Sequence, residues 1–105
     1  MTLATVGESG PWAAAVFYVN LEFTFYFLSA AHTRHAQNFV DRPQVAATIQ
    51  EDYEDWPTIK GIQLEGLVTR LEGQPKQQAQ TLYKEKYPFI HRILFQYFFL
   101  LERAL

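Results

Sequence analysis

The sequence predicts a small antiparallel β-barrel with helices at its periphery, on three observations. Short segments rich in β-branched and aromatic residues follow one another, each bounded by turn-forming residues. Residues 33–40 and 75–87 switch to helical spacing. The chain has 105 residues, enough for one domain and one modest core. Closing so small a sheet removes exposed edges.

The elements follow in order. Thr2–Val6 is a short strand, and Gly7-Glu8-Ser9-Gly10-Pro11 is dense turn chemistry. Trp12–Val19 is the second strand, reversed at Asn20-Leu21-Glu22, and Phe23–Ser29 is the third; short turns make these three a meander. Thr33–Val40 carries Ala36, Phe39 and Val40 on one helical face, and Asp41-Arg42-Pro43 stops it, because the residue before proline avoids the helical region. Val45–Gln50 is the fourth strand. Ile59–Glu72 is a long fifth strand with a bulge or close backbone approach expected at Gly66. Pro75 opens a helix that Pro88 ends near Tyr87. Phe89–Leu105 fits both a helical stripe and, over Tyr97–Leu101, a buried strand, which would be the sixth.

Aromatic content is high: nine Phe, six Tyr and two Trp. Placed on strands, they fall on both faces. Trp12, Ala14, Val16 and Tyr18 alternate with Ala13, Ala15, Phe17 and Val19, and neither set is polar. The second face must meet a helix, a partner subunit or a flat ligand.

Charge and cysteine exclude several classes. Nine basic residues against eleven acidic ones give a net charge of −2, so no global field draws nucleic acid. The absence of Cys excludes disulfides, thiolate metal sites and thiol nucleophiles. Residues 1–7 lack the basic and apolar regions of a signal peptide, and the apolar run Ile93–Leu101 is too short for a membrane span. The chain therefore reads as a soluble cytoplasmic protein. Glu51, Asp52, Glu54 and Asp55 read as a solvated loop, with a metal site as the second reading.

The most informative stretch is Phe27-Leu28-Ser29-Ala30-Ala31-His32-Thr33-Arg34-His35-Ala36. A strand ends at Ser29 and a helix begins near Thr33, so free helix N–H groups, two hydroxyls and a guanidinium converge in a pattern suited to a phosphate monoester. The plainer reading makes Thr33 an N-cap and Arg34 a solvated residue. His32 and His35, three apart, are the weaker candidates for a metal pair; His91 reads as a surface or partly packed residue. A second signal is Trp12-Ala13-Ala14-Ala15-Val16, whose small side chains admit either a planar ring or a packed helix. Lys60-Gly61-Ile62-Gln63 places a cation, bare backbone and an amide at the start of the long strand.

With these segments together, the sequence resembles the pyridoxamine 5′-phosphate oxidase-like flavoproteins, the FMN-binding split-barrel superfamily, and most of all a small branch of it. The resemblance is carried by Trp12, Ala14, Phe17 and Tyr18, by Phe25–Leu28 with Ser29, Thr33, Arg34, His35 and Ala36, and by Gly61–Gly66. Leu71-Glu72-Gly73, Ala79, Tyr83 and Tyr87-Pro88 match in style. It implies a mainly β fold with peripheral helices: a six-stranded, Greek-key-like antiparallel split barrel over residues 1–105. The implied assembly is a homodimer with FMN in clefts at the interface. Ser29, Thr33, Arg34 and His35 would hold the phosphate. Ala14, Ala15, Val16 and Phe17 would run beside the isoalloxazine, with Leu28 nearby and Lys60, Gly61 and Gln63 approaching from the neighbouring strand. The flavin would supply hydride chemistry toward a small-molecule substrate, and the protein position and electrostatics.

This sequence departs from the better-known oxidases in having Arg34-His35 where they carry Arg-Lys, and a neutral histidine gives the phosphate less charge balance. Their basic substrate-phosphate contacts have no counterpart here, so pyridoxamine phosphate oxidation itself is not expected. Family members usually add a helix before the first strand and a strand after the aromatic stretch, so the chain is expected to be shorter than they are at both ends. The same barrel binding haem or deazaflavin, or serving as a cofactor-free binding module, is the alternative.

Overall fold

The computed structural model describes residues 1–50, 61–88 and 96–102, without the side chains of 96–98. Among the described residues, seven strands and two helices follow one another: β1 (Thr2–Gly7), β2 (Gly10–Ala15), β3 (Tyr18–Leu21), β4 (Thr24–Ala30), α1 (Arg34–Asp41), β5 (Gln44–Gln50), β6 (Gly61–Arg70), α2 (Gly73–Lys86) and β7 (Gln96–Glu102). They form one sheet in the order β2-β1-β5-β6-β7-β4-β3, every pair antiparallel.

Two tight hairpins open the chain. Gly7 pairs with Gly10 across Glu8-Ser9, and Gly10 takes a φ of 101° that favours glycine. Leu21 pairs with Thr24 across Glu22-Phe23, where Glu22 itself is left-handed at φ 55° and the Asn20 amide donates to its carbonyl.

The expected meander is overturned here. The strand expected over Trp12–Val19 breaks at Val16-Phe17, and its two halves become the opposite edges of the sheet. In a flat sheet those edges would stand about 29 Å apart, at ~4.8 Å per strand. The three residue steps from Ala15 to Tyr18 reach at most about 11 Å. The sheet must therefore curl until its edges nearly meet, which is the half-closed barrel that the sequence predicts, with seven strands in place of six.

Other boundaries also differ. The β5–β6 register runs unbroken from Gln44↔Leu67 to Gln50↔Gly61, so Gly66 makes no bulge; it is buried opposite Val45. β6 ends at Arg70, short of Glu72, and α2 begins at Gly73, two residues ahead of Pro75. Gln96–Glu102 is a strand, which decides Tyr97–Leu101 in favour of β; residues 89–95 and 103–105 lie outside the described residues. The acidic cluster at 51–55, Lys60 and His91 lie outside the described residues.

The curl has two apolar cores, one on each face, and they account for many of the rings. Inside it, Leu3, Phe25, Phe27, Val45, Ala47, Val68, Phe99 and Leu101 pack under Ala36 and Phe39 of α1. The Phe39 ring meets Phe99 at 4.6 Å and Phe27 at 5.9 Å, and Phe27 stacks on Phe99 at 5.6 Å. On the other side, α2 lays Ala79 and Tyr83 against Val19, Tyr26 and Leu71. The second apolar face of β3 and β4 thus meets a helix.

Candidate functional site

Residues 31–33 carry the chain from β4 into α1. Thr33 is the N-cap: its Oγ1 accepts from the Ala36 N–H at 3.3 Å and donates to the Ala30 carbonyl at 2.8 Å. This ties helix start to strand end and aims α1 across β1 and β2.

His35, the second residue of the helix, turns Nε2 to Ser29 Oγ at 2.8 Å, with Thr33 Oγ1 at 3.4 Å. Ser29 alternates with Phe25 and Phe27 on the core side of β4 and is 4% exposed. Burial pushes the His35 pKa below the ordinary histidine value, so the ring is neutral at pH 7.

Arg34 points elsewhere, because successive helical positions lie about 100° apart. Its guanidinium sits 4.1 Å above the centre of the Trp12 ring on β2. Stacking uses the face of the guanidinium and leaves its N–H edge for an anion. Glu8, His32, Arg34, Gln37, Asp41 and Arg42 line an open polar cleft of about 460 Å³ against the β1–β2 turn, so its charge is mixed.

The remaining residues singled out from the sequence do not gather at this point. The pairings Ala15↔Thr2, Thr2↔Thr48 and Thr48↔Gln63 make one cross-strand row on the outer face, and Gly61 shares that face. Ala14 sits in the inner row with Leu3, Ala47 and Leu64, and Val16 packs against the inner core. Leu28 packs on the other side, in the core beneath α2. Phe17 is 61% exposed. The structure therefore brings Ser29, Thr33 and His35 together, stacks Arg34 on Trp12, and leaves Ala15, Gly61 and Gln63 on a separate outer platform.

Sequence reasoning gave no role to the end of α2, which grips the β2–β3 crossover. Tyr83 donates to the Phe17 carbonyl at 3.1 Å, and Tyr87 donates to the Tyr18 carbonyl at 2.6 Å. Lys86 Nζ donates to the same Tyr18 carbonyl at 2.7 Å while lying 3.9 Å over the Tyr18 ring. The Phe17 ring rests against Tyr87, with centroids 5.3 Å apart. The spacing of Tyr83 and Tyr87, one helical turn apart just before Pro88, was the available signal.

A curled antiparallel sheet with a capped helix at the end of the strand next to one edge defines the class, and the family match agrees. Residues 1–98 match the family described as pyridoxamine 5′-phosphate oxidase, and the chain belongs to that family. It is 40% identical over 90 residues to a UPF0306 protein of Photorhabdus laumondii, covering 84% of this chain and 63% of that one. The chain thus spans about three-fifths of the length of the curated relatives it matches. Among solved structures, the haem storage protein HutZ of Vibrio cholerae superposes with a TM-score of 0.85 at 20% identity, over 99% of this chain and 80% of that one. A FAD-binding protein of Mesorhizobium loti superposes at 0.75 with 14% identity, over 99% and 80%. At these identities the superpositions establish the shared fold.

Proposed function

We propose that the chain is an FMN-binding split barrel that works as a homodimer, a flavin-dependent oxidoreductase acting on a small molecule in the cytoplasm. The observation that carries this reading is the join between β4 and α1. There Thr33, His35 and the first turn of the helix present hydrogen-bonding groups, and Arg34 is held on Trp12 one residue away. These residues fit a phosphate monoester: a planar guanidinium, an imidazole and helix N–H groups, with no acidic side chain in the first turn of α1.

Two arguments support the dimer. The outer row of Ala15, Thr2, Thr48 and Gln63 carries short side chains at three of its four positions, which suits close approach of a ring or a second sheet. It also lies on the face opposite Ser29, so a cofactor touching both groups takes them from two chains. Bound FMN would supply the hydride chemistry, while Arg34, His35 and the helix N–H groups that the Thr33 cap sets in place would fix its phosphate end.

The test is direct. Purified protein is expected to bind FMN, and Arg34→Ala to weaken FMN at least tenfold while changing riboflavin, which lacks the phosphate, less than twofold. Equal weakening would remove the phosphate assignment, and failure to bind FMN at all would remove the flavin reading. A second reading, haem, has a specific observation behind it in the HutZ superposition. Haem binding without FMN binding selects it.

A further inference from the structure

The imidazole of His35 is anchored on one side only. Nε2 faces Ser29 and Thr33, whereas Nδ1 makes no hydrogen bond to any described residue. No buried polar side-chain atom lacks a partner among the described residues. Nδ1 therefore reaches solvent.

Proton counting assigns the tautomer. Thr33 gives its one hydroxyl hydrogen to the Ala30 carbonyl at 2.8 Å, so it could only accept from an Nε2–H, and at 3.4 Å that contact is too long to outweigh the 2.8 Å bond with Ser29. Ser29 is 4% exposed, and His35 Nε2 at 2.8 Å is its one side-chain partner among the described residues. A buried hydroxyl that does not donate carries a desolvation penalty, so Ser29 gives its hydrogen to Nε2. The ring's own hydrogen then sits on Nδ1, facing outward.

Building on the phosphate reading above, we propose that Ser29 is a positioning residue: it fixes neutral His35 as the Nδ1–H tautomer, whose outward N–H donates to the phosphate of the bound flavin nucleotide. Ser29 itself does not touch the anion. It acts through His35, in place of the direct contact that the resemblance implies. His35 likewise serves as an uncharged directional donor where the better-known oxidases carry a lysine.

The surroundings are consistent with a neutral ring. Ser29 comes from β4, Thr33 from the preceding loop, and Phe39 from the same helix, with its ring centre 6.1 Å away. β1 and β2, against which α1 packs, offer the Thr5 hydroxyl and the Trp12 indole. The charged groups of this region, Glu8, Arg34, Asp41 and Arg42, line the outer cleft with His32, and burial is what lowers the His35 pKa.

Nitrogen-15 NMR of the imidazole at pH 7.5 tests the proposal on the protein as it stands. The expected spectrum shows a protonated Nδ1 and a bare Nε2 for His35, and FMN shifts the Nδ1 resonance while riboflavin leaves it unmoved. Ser29→Ala is expected to mix the tautomers, raise the His35 pKa, and weaken FMN about three- to tenfold, as one net hydrogen bond would. A dominant Nε2–H tautomer in the wild-type protein overturns the proposal, as does FMN binding that leaves Nδ1 unmoved. Failure of FMN to bind at all instead overturns the flavin reading, and the tautomer is still read from the free protein.

Discussion

Tyr87 and Tyr18 are joined by two hydrogen bonds through a single hydroxyl: Tyr87 donates to the Tyr18 carbonyl at 2.6 Å and accepts from the Tyr18 N–H at 3.2 Å. A side chain thus stands in for a neighbouring strand on edge strand β3. Tyr87→Phe is expected to leave both backbone groups without that partner and to destabilise the fold by about 1–3 kcal/mol. Urea unfolding should show a lower midpoint with an unchanged slope.

Tyr83 offers a pH test of the same grip. Burial raises its phenol pKa well above the ordinary value near 10. The folded state keeps the proton that the unfolded state loses, so stability is full below about pH 10 and falls as pH rises above it. Tyr83→Phe should remove that part of the alkaline loss, measured as the urea midpoint against pH.

His35 has the opposite dependence. Its folded pKa is depressed by burial, so stability is complete above the ordinary histidine value and is lost as pH falls through the depressed one. Unfolding curves from pH 7.5 to 5 should show this loss, and His35→Gln should flatten it.

Gly7 is held to its size by a neighbour. A β-carbon there would overlap the Asn38 side-chain amide, which donates to the buried Thr5 hydroxyl at 3.1 Å. Gly7→Ala must push Asn38 aside and break that bond, at a cost of about 1–3 kcal/mol. In a double-mutant cycle, Asn38→Ala should absorb most of the penalty; additive losses would count against this account.

Phe39 joins α1 to the sheet through Phe27 and Phe99. Phe39→Ala should cost about 3–5 kcal/mol, a large share of the stability of a small domain. Circular dichroism melts would reveal it as a fall in midpoint of many degrees.

The sequence made local features readable and distant ones obscure. Strands such as β4 and β5 announce themselves through β-branched and aromatic runs, and Thr33 sits within a few residues of everything it caps. The break at Val16-Phe17 carries neither glycine nor proline, so nothing in it signals a crossing between sheet edges. The pairing of Ser29 with His35 spans six residues and was within reach, but its direction depended on which face of β4 turned inward. The bond from Tyr83 to Phe17 spans 66 residues and exists only because the sheet curls. High aromatic content likewise hid two cores, since composition does not tell a ring inside the curl from one beneath α2.

The two-residue link between β2 and β3 makes the width of the barrel a question of chain length. Edges tied so closely cannot drift apart without unravelling a strand, and Tyr83 of α2 and Tyr87 just beyond it hold the knot from outside. Lengthening the link would act like loosening a drawstring: each added residue grants the mouth about 3.5 Å more travel. A barrel of this kind thus has an aperture set in covalent units, which insertion between Val16 and Phe17 would widen step by step.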